Sequence, residues 1–600
     1  MRVPILVGFF VTQNLCAKPL PKNLQWQTQD AVLPNIADPQ AKEGGTMNIR
    51  LSSFPLTLRT VGPGANTVLY PYLLDNNWGL TTIHPNTGQV VGLLASEWAE
   101  GVNGRTMYYK LNKAAKWSDG KPVTAQDFVF TVELMRSKHI QDPWYNRYYT
   151  EEIESVVAYD NYTLSITMKQ VRPDLLLHAD IAPYPKHFFR ALGKDFVVSY
   201  NWRFVPNTGP YYIDEKDVKN GESVTFTRKK NWWARKIEFF KNRFNVDRIS
   251  FKVVGDNSEW EQFKKQEFDT FQMNDPMFWY EKSNVDLFLK GYIHKLWFYN
   301  DQPRPCAGLW LNTNAPLLKD ERLRKAVAHA TNFDKVIAAL FNGEAVRMNT
   351  CTDGYGDYTN HAVKATPFSL DSANRLFKET GWDTRDGEGI RVKDGARLEI
   401  NLLYVSEDET PTLRMLADEM KRAGIKMKLE LTDWATMLKQ MDSGKHQIAF
   451  TGVPAQSSGV PEFSQVWHGA NANVAHSNNF SNVNDSTLNE LIDNYGKSTD
   501  KGQRVKFAHD IDARIHELGV FIPGYSFPFF RQAYWRWWRL PKIPATNLSD
   551  DAFTPFAPSY GGLFWLDETL KAETQQAMTK NRAFPPVTLT DRTYEPKTQN

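Results

Sequence analysis

Three cysteines in 600 residues, Cys16, Cys306 and Cys351, are too few for a disulfide-built scaffold. With no His cluster beside them, they do not make a metal site either. No apolar run approaches the roughly 20 residues that cross a bilayer, so no transmembrane span is expected. Charge of one sign is also missing. The 71 Lys and Arg stand against 68 Asp and Glu, a net charge of +3 with the two signs intermixed, and this leaves no footprint for nucleic acid. There is no Gly-rich phosphate loop, no His-Glu-x-x-His pattern and no Gly-x-Ser-x-Gly elbow. His516-Glu517 lacks a second His one turn on, and His468 and His476 stand at loop spacing. In Asp383–Gly389 an arginine, Arg385, occupies a position where a calcium loop needs an acid, and no closing Glu follows. These absences remove nucleotide enzymes, common hydrolases and metalloproteins. No enzymatic activity, cofactor or metal is expected.

What is present is length and aromatic mass. Six hundred residues exceed what one core serves, so at least two globular units are expected. The 19 Trp, 24 Tyr and 36 Phe must be largely core, yet Trp and Tyr also line sites for peptides and sugars. At the N-terminus, Met1-Arg2 precedes a short apolar run from Val3 to Val11, then polar Thr12-Gln13-Asn14. Leu15-Cys16-Ala17 offers a signal peptidase site, so residues 1–17 are expected to be a signal peptide. Leu15 stands where a lipobox wants a small residue, which disfavours a lipid anchor. In an oxidising compartment Cys306 and Cys351 are a candidate disulfide, although sequence does not set the distance between them.

The stretch Lys116 to Glu133, KWSDGKPVTAQDFVFTVE, organises the chain. Before it, Met107, Tyr109 and Leu111 alternate with Tyr108 and Lys110, the period of a half-buried strand. Ser118-Asp119-Gly120-Lys121 makes a turn, and Pro122 stops the ladder. Thr124 with Asp127 three residues on forms a near capping box, and Ala125, Phe128, Val129 and Val132 recur on one helical face. Strand, tight turn and capped helix follow, with nothing catalytic in them.

The order of these residues resembles the signature segment of solute-binding protein family 5, the receptors of bacterial ABC importers for oligopeptides, dipeptides and nickel. The resemblance extends to Gly92–Trp98, Asn207–Ile213, Lys229–Trp233, Asn312–Ala326 and the stretch from Ile522-Pro523-Gly524-Tyr525 onward. It implies two α/β lobes joined by a hinge (the type II periplasmic binding protein fold) with the extra subdomain of peptide receptors at about 80–200. It also implies that the segment after the first strand, here Ser53 and Phe54, reaches the ligand cleft. Tyr525 enters the candidate site with the return into the large lobe. Trp535, in the aromatic-basic cluster Tyr534–Arg539, is a candidate for a ring in the cleft.

The second lobe can be read from pattern alone. Leu398–Tyr404, Lys426–Leu431 and Gln447–Gly452 read as strands, with helices at Thr412–Ala423 and Trp434–Met441 between them. Such short strand–helix–strand links imply a parallel sheet with right-handed crossovers. Ligands of open sheets sit beyond the carboxyl ends of the strands. That places Ser406, Thr451, Gly452, Val453 and Gln456 in the candidate site. Asp320 to Leu340 reads as one helix, and Asn300–Pro305 as a hinge or linker.

One departure from the family matters. Its peptide receptors carry an Asp just after the strand matching Gln447–Gly452 to pair with the ligand's amino group. Here that place holds Ala455, Gln456 and Ser457, and the nearest acid is Glu462. The length and aromatic content look more like the YejA-type branch, associated with longer peptides and peptidoglycan-derived peptides.

The expected organisation is therefore a signal peptide at 1–17, lobe I at 18–302 with the inserted subdomain, lobe II at 303–522, and a return to lobe I at 523–600. The polar stretch after about 570 is expected to lie along the surface. The expected function is capture of oligopeptides or peptide-like compounds in the periplasm by a monomeric receptor. The receptor delivers them to an inner-membrane ABC permease. The alternative is an oligosaccharide receptor of the same kind.

Overall fold

The computed structural model describes residues 19–596, apart from 30–32, 141–147, 173, 191, 256–257, 456–458 and 475–476. The leader and Gln456 lie outside the described residues. The signature stretch folds as its local chemistry requires. Strand Thr106–Leu111 leads through the turn into helix Ala125–Met135. The Thr124 backbone N–H donates to Asp127 Oδ2 at 2.9 Å, the back-bond of a capping box. The other Asp127 oxygen accepts the Lys186 N–H at 3.0 Å, so one buried carboxylate ties the turn to a distant segment.

That helix covers a four-stranded antiparallel sheet in the order Ala95–Glu100, Thr106–Leu111, Thr163–Met168, Ile153–Ala158. Its core is its own, with Tyr109, Phe128, Leu164 and Ile166 fully buried. A larger, aromatic core belongs to lobe I. There Thr46–Leu51 runs parallel to Arg248–Val253, and Ser223–Arg228 and Tyr211–Lys219 continue the sheet antiparallel. Trp78 packs at 4.7 Å from Phe240 and 4.8 Å from Trp232. The indole N–H groups of Trp232 and Trp233 both donate to the Thr208 carbonyl, at 3.1 and 2.8 Å. Two separately recognised motifs, Asn207–Ile213 and Lys229–Trp233, thus meet at one carbonyl.

Lobe II is built on a five-stranded sheet in the order Lys426–Leu431, Glu399–Tyr404, Ile448–Val453, Cys306–Leu311, Phe521–Pro523. The first three are mutually parallel, as their connections require. Cys306–Leu311 runs antiparallel between Ile448–Val453 and Phe521–Pro523, so the sheet is mixed rather than wholly parallel. Successive side chains serve opposite faces: Leu309, Leu402, Ile448 and Ile522 enter one core, and Trp310, Leu403, Ala449 and Phe521 the other.

The chain crosses between lobes twice, on neighbouring strands. Ile293–Phe298 pairs with Phe530–Trp535 in lobe I, and their continuations Cys306–Leu311 and Phe521–Pro523 pair in lobe II. Arg304 holds the crossings together, donating to the Phe527 carbonyl at 3.1 Å and to Asn300 Oδ1 at 2.5 Å.

One expectation needs correction and another needs an addition. Asp320 to Leu340 is two helices, Glu321–His329 and Phe333–Leu340, because Asn332 turns its side chain to cap the second, accepting the Lys335 N–H at 3.0 Å. The stretch after 570 does more than lie on the surface. It finishes helix Glu568–Thr579 and adds strand Thr588–Asp591 to the edge of Ile293–Phe298.

Candidate functional site

The carboxyl edge of the lobe II sheet opens into a pocket that is open to solvent. Val453 and Cys306, paired in register, stand at its base, with Ala455, Tyr355, Phe463, Trp467 and Glu462 around it. Cys351 forms a disulfide with Cys306, Cα to Cα 4.7 Å, and so pins the loop carrying Thr352 and Tyr355 to the sheet. Asp512 holds the same loop from below, accepting the Thr352 hydroxyl. Burial pushes its carboxyl up to about 7.

With Arg304 as the basic side chain lining this pocket, Glu462 is the acidic one. Its two oxygens accept the N–H groups of Ser464 and Gln465 at 2.9 and 3.0 Å, which fixes the carboxylate at the start of helix Ser464–Trp467. Burial raises its pKa, and those backbone donors oppose the rise. The charges of Glu152 and Arg172, both on the inserted subdomain, also act on it.

On the lobe I side of the hinge, Asp75, Asp550, Asp551, Tyr72 and Tyr560 form an acidic, tyrosine-rich wall. Burial lifts Asp75 to about 7, with Asp550 adding to the rise. The Tyr560 hydroxyl donates to Asp550 at 3.5 Å, and the positive charge of Arg304 opposes the burial of the same carboxylate. Asn300 donates to the Ser549 carbonyl at 2.7 Å, which places this wall against the crossing.

The sequence-derived site residues separate into groups. Thr451, Gly452 and Val453 share the last half of strand Ile448–Val453, and Val453 lines the pocket. Ser406 stands at the end of the adjacent strand, where its hydroxyl accepts the Asp408 N–H at 3.3 Å and caps a short turn. Tyr525 lies on the return crossing, half-buried, 4.6 Å from the Phe341 ring, and burial pushes its hydroxyl up to about 12. On lobe I, Ser53 is exposed and Phe54 stacks on Trp202 at 5.8 Å, a ring that is itself 46% exposed.

Trp535 is a correction. Its side chain is fully buried, stacked on Trp537 at 4.8 Å, and has no face to offer a ligand. Trp537 and Trp538 are buried beside it, so the densest aromatic cluster in the chain is core. Sequence reasoning missed Asp75 and Asp550, because no local pattern marks two acids that only the fold brings within reach of each other. Among the described residues no group of three His, Cys, Asp or Glu is placed to hold a metal ion. No described helix is long and apolar enough to cross a membrane.

Two α/β lobes, two neighbouring crossing strands and a pocket at the carboxyl edge of the lobe II sheet are the architecture of binding proteins that close on a ligand. The chain belongs to the bacterial extracellular solute-binding proteins, family 5, whose family model (the "Middle" region) matches residues 89–474. It is 22% identical over 577 residues to the uncharacterized protein YejA of Escherichia coli (strain K12), covering 86% of this chain and 90% of that one. It is 23% identical over 476 residues to the peptidoglycan-binding protein YepA of Agrobacterium fabrum (strain C58 / ATCC 33970), covering 72% and 76%. Its fold matches the oligopeptide-binding protein AppA from Bacillus subtilis in complex with a nonapeptide. The TM-score is 0.71 at 18% identity, over 88% of this chain and all of that one. The family is a class of receptors rather than of enzymes.

Proposed function

We propose that this chain is the periplasmic, monomeric receptor of an ABC importer for peptides or peptide-like compounds, peptidoglycan peptides among them. It closes residues 303–522 over the rest of the chain and passes the ligand unaltered to an inner-membrane permease. The observation that carries the reading is the pocket at the carboxyl edge of the lobe II sheet, lined by a carboxylate that two backbone N–H groups hold in place. Backbone N–H and C=O groups at the ends of Thr451–Val453 would take the ligand's main chain by strand addition. Gln456, Ser406, Tyr525, Ser53 and Phe54 complete the proposed site. Glu462 stands in for the missing strand-end acid and takes the ligand's amino group. The names of the YepA and AppA relatives support a peptide-like cargo.

The test is mass spectrometry of what co-purifies with the protein, followed by calorimetric titration. A pool of synthetic tri- to hexapeptides and a set of chito-oligosaccharides serve as the two ligands. Peptides in the eluate and in the titration are expected. Binding by the oligosaccharides alone would replace the reading with a sugar receptor. Glu462→Gln is expected to weaken a peptide with a free amino terminus about tenfold or more and to leave its N-acetylated form unchanged.

A further inference from the structure

Among the described residues, the inserted subdomain is joined to lobe II by an ion pair between Asp174 and Arg504. Asp174 precedes the short helix Leu175–His178 of the subdomain, and Arg504 stands in the first turn of the lobe II helix Lys501–Leu518. Arg504 Nη1 donates to Asp174 Oδ2 at 2.8 Å. The guanidinium is held ready for it. The Tyr495 ring lies 5.0 Å away and the Tyr358 ring 5.8 Å, and Nη2 donates to the Tyr495 hydroxyl at 3.4 Å. The Arg504 side chain is only 8% exposed and that of Asp174 27%. Each would gain water if the lobes parted. The same Tyr495 hydroxyl donates to the Pro461 carbonyl at 2.7 Å, and Pro461 and Glu462 line the pocket.

We propose that Asp174 and Arg504 form a latch: a contact made only when the lobes are shut, which holds the closed form without touching the ligand. The inference rests on the reading that the lobes open and close, but not on what they bind. Lobe II supplies a preset arginine, boxed by two tyrosines of its own lobe. The subdomain supplies the carboxylate that arrives on closure. The latch sets how long the cleft stays shut, so it tunes ligand residence for any cargo alike.

The test uses the full chain as purified, with one spin label on an exposed site of the subdomain and one on lobe II. Interlobe distance distributions are recorded for wild type, Asp174→Asn, Arg504→Ala and the charge swap D174R/R504D, and urea unfolding checks that each is folded. Each single variant is expected to lower the ratio of closed to open molecules about tenfold. The swap is expected to return it to within threefold of wild type. Dissociation of the tri- to hexapeptide pool is expected to speed up by the same factor as the ratio falls. Unchanged distances in the single variants, a swap no better than Arg504→Ala, or a wild type with no closed population would overturn the latch. The distances need no added peptide, so a failure of the peptides to bind would count against the proposed cargo and leave the latch to be decided by the distances.

Discussion

Arg531 and Arg504 both tie one lobe to the other, and they are held in different ways. Arg531, on the lobe I strand Phe530–Trp535, is completely buried and reaches both oxygens of Glu344 in lobe II, at 2.6 and 2.8 Å. Four rings surround it, Trp297 at 3.9 Å, Phe529 at 4.3 Å, Trp279 at 5.1 Å and Tyr280 at 5.2 Å. Arg504 has two rings and a single bond to its carboxylate. The first sits on one of the crossing strands and the second against the inserted subdomain. A bidentate pair sealed by aromatics suits a pivot, because separating it would strand a charge out of water. A single bond with a partly wet partner suits a contact that must break and re-form.

The largest expected effect breaks the pivot. Glu344→Ala leaves the Arg531 charge buried without its partner and is expected to cost about 3–5 kcal/mol of stability in urea unfolding. Replacing both residues by apolar ones (E344L/R531M) should recover most of that loss, and failure to recover would mean the pair does more than neutralise itself. A somewhat smaller effect is expected at the pocket loop. Cys306→Ser with Cys351→Ser opens a link closed over 45 residues, and loop-closure entropy alone puts the loss at about 4 kcal/mol, with typical measured losses nearer 2–4. Equal urea midpoints with and without reductant would contradict it.

The third effect is a pH dependence. Burial lifts Asp512 to about 7, above the value of about 3.9 it has in an unfolded chain. Between those values the folded chain keeps a proton that the unfolded chain has released. This group's contribution to stability therefore falls as pH rises from about 4 to about 7, and stays lost above that. Asp512→Asn should flatten that part of the decline in a series of urea midpoints across the window. A wild-type slope that the variant leaves unchanged would assign the decline to other buried acids, Asp75 among them.

Much of the fold was legible where neighbours in sequence are neighbours in space. The capping pair Thr124 and Asp127, the helix stop at Gly424 with φ of 92° and the parallel strands of lobe II all depend on spacings of a few residues. The break at Asn332 was hidden because both flanking helices share one apolar rhythm. Strand Thr588–Asp591 was hidden because it is exposed and polar, and becomes a strand only by pairing with Ile293–Phe298. In the site, the strand-end rule led to Val453 and its pocket, while Trp535 was misjudged because a cluster of aromatic and basic residues reads alike in a core and in a cleft.

By itself the sequence determined the family and its two α/β lobes through the resemblance of its ordered motifs, and the strands whose ends frame the pocket through periodicity and turn chemistry, which act over short stretches of chain. Only the tertiary structure decided which charges work together. Asp75 with Asp550, Arg531 with Glu344 and Asp174 with Arg504 are pairs drawn from distant segments. Their electrostatics depend on separation and on exclusion of water, and neither quantity exists until the chain has folded.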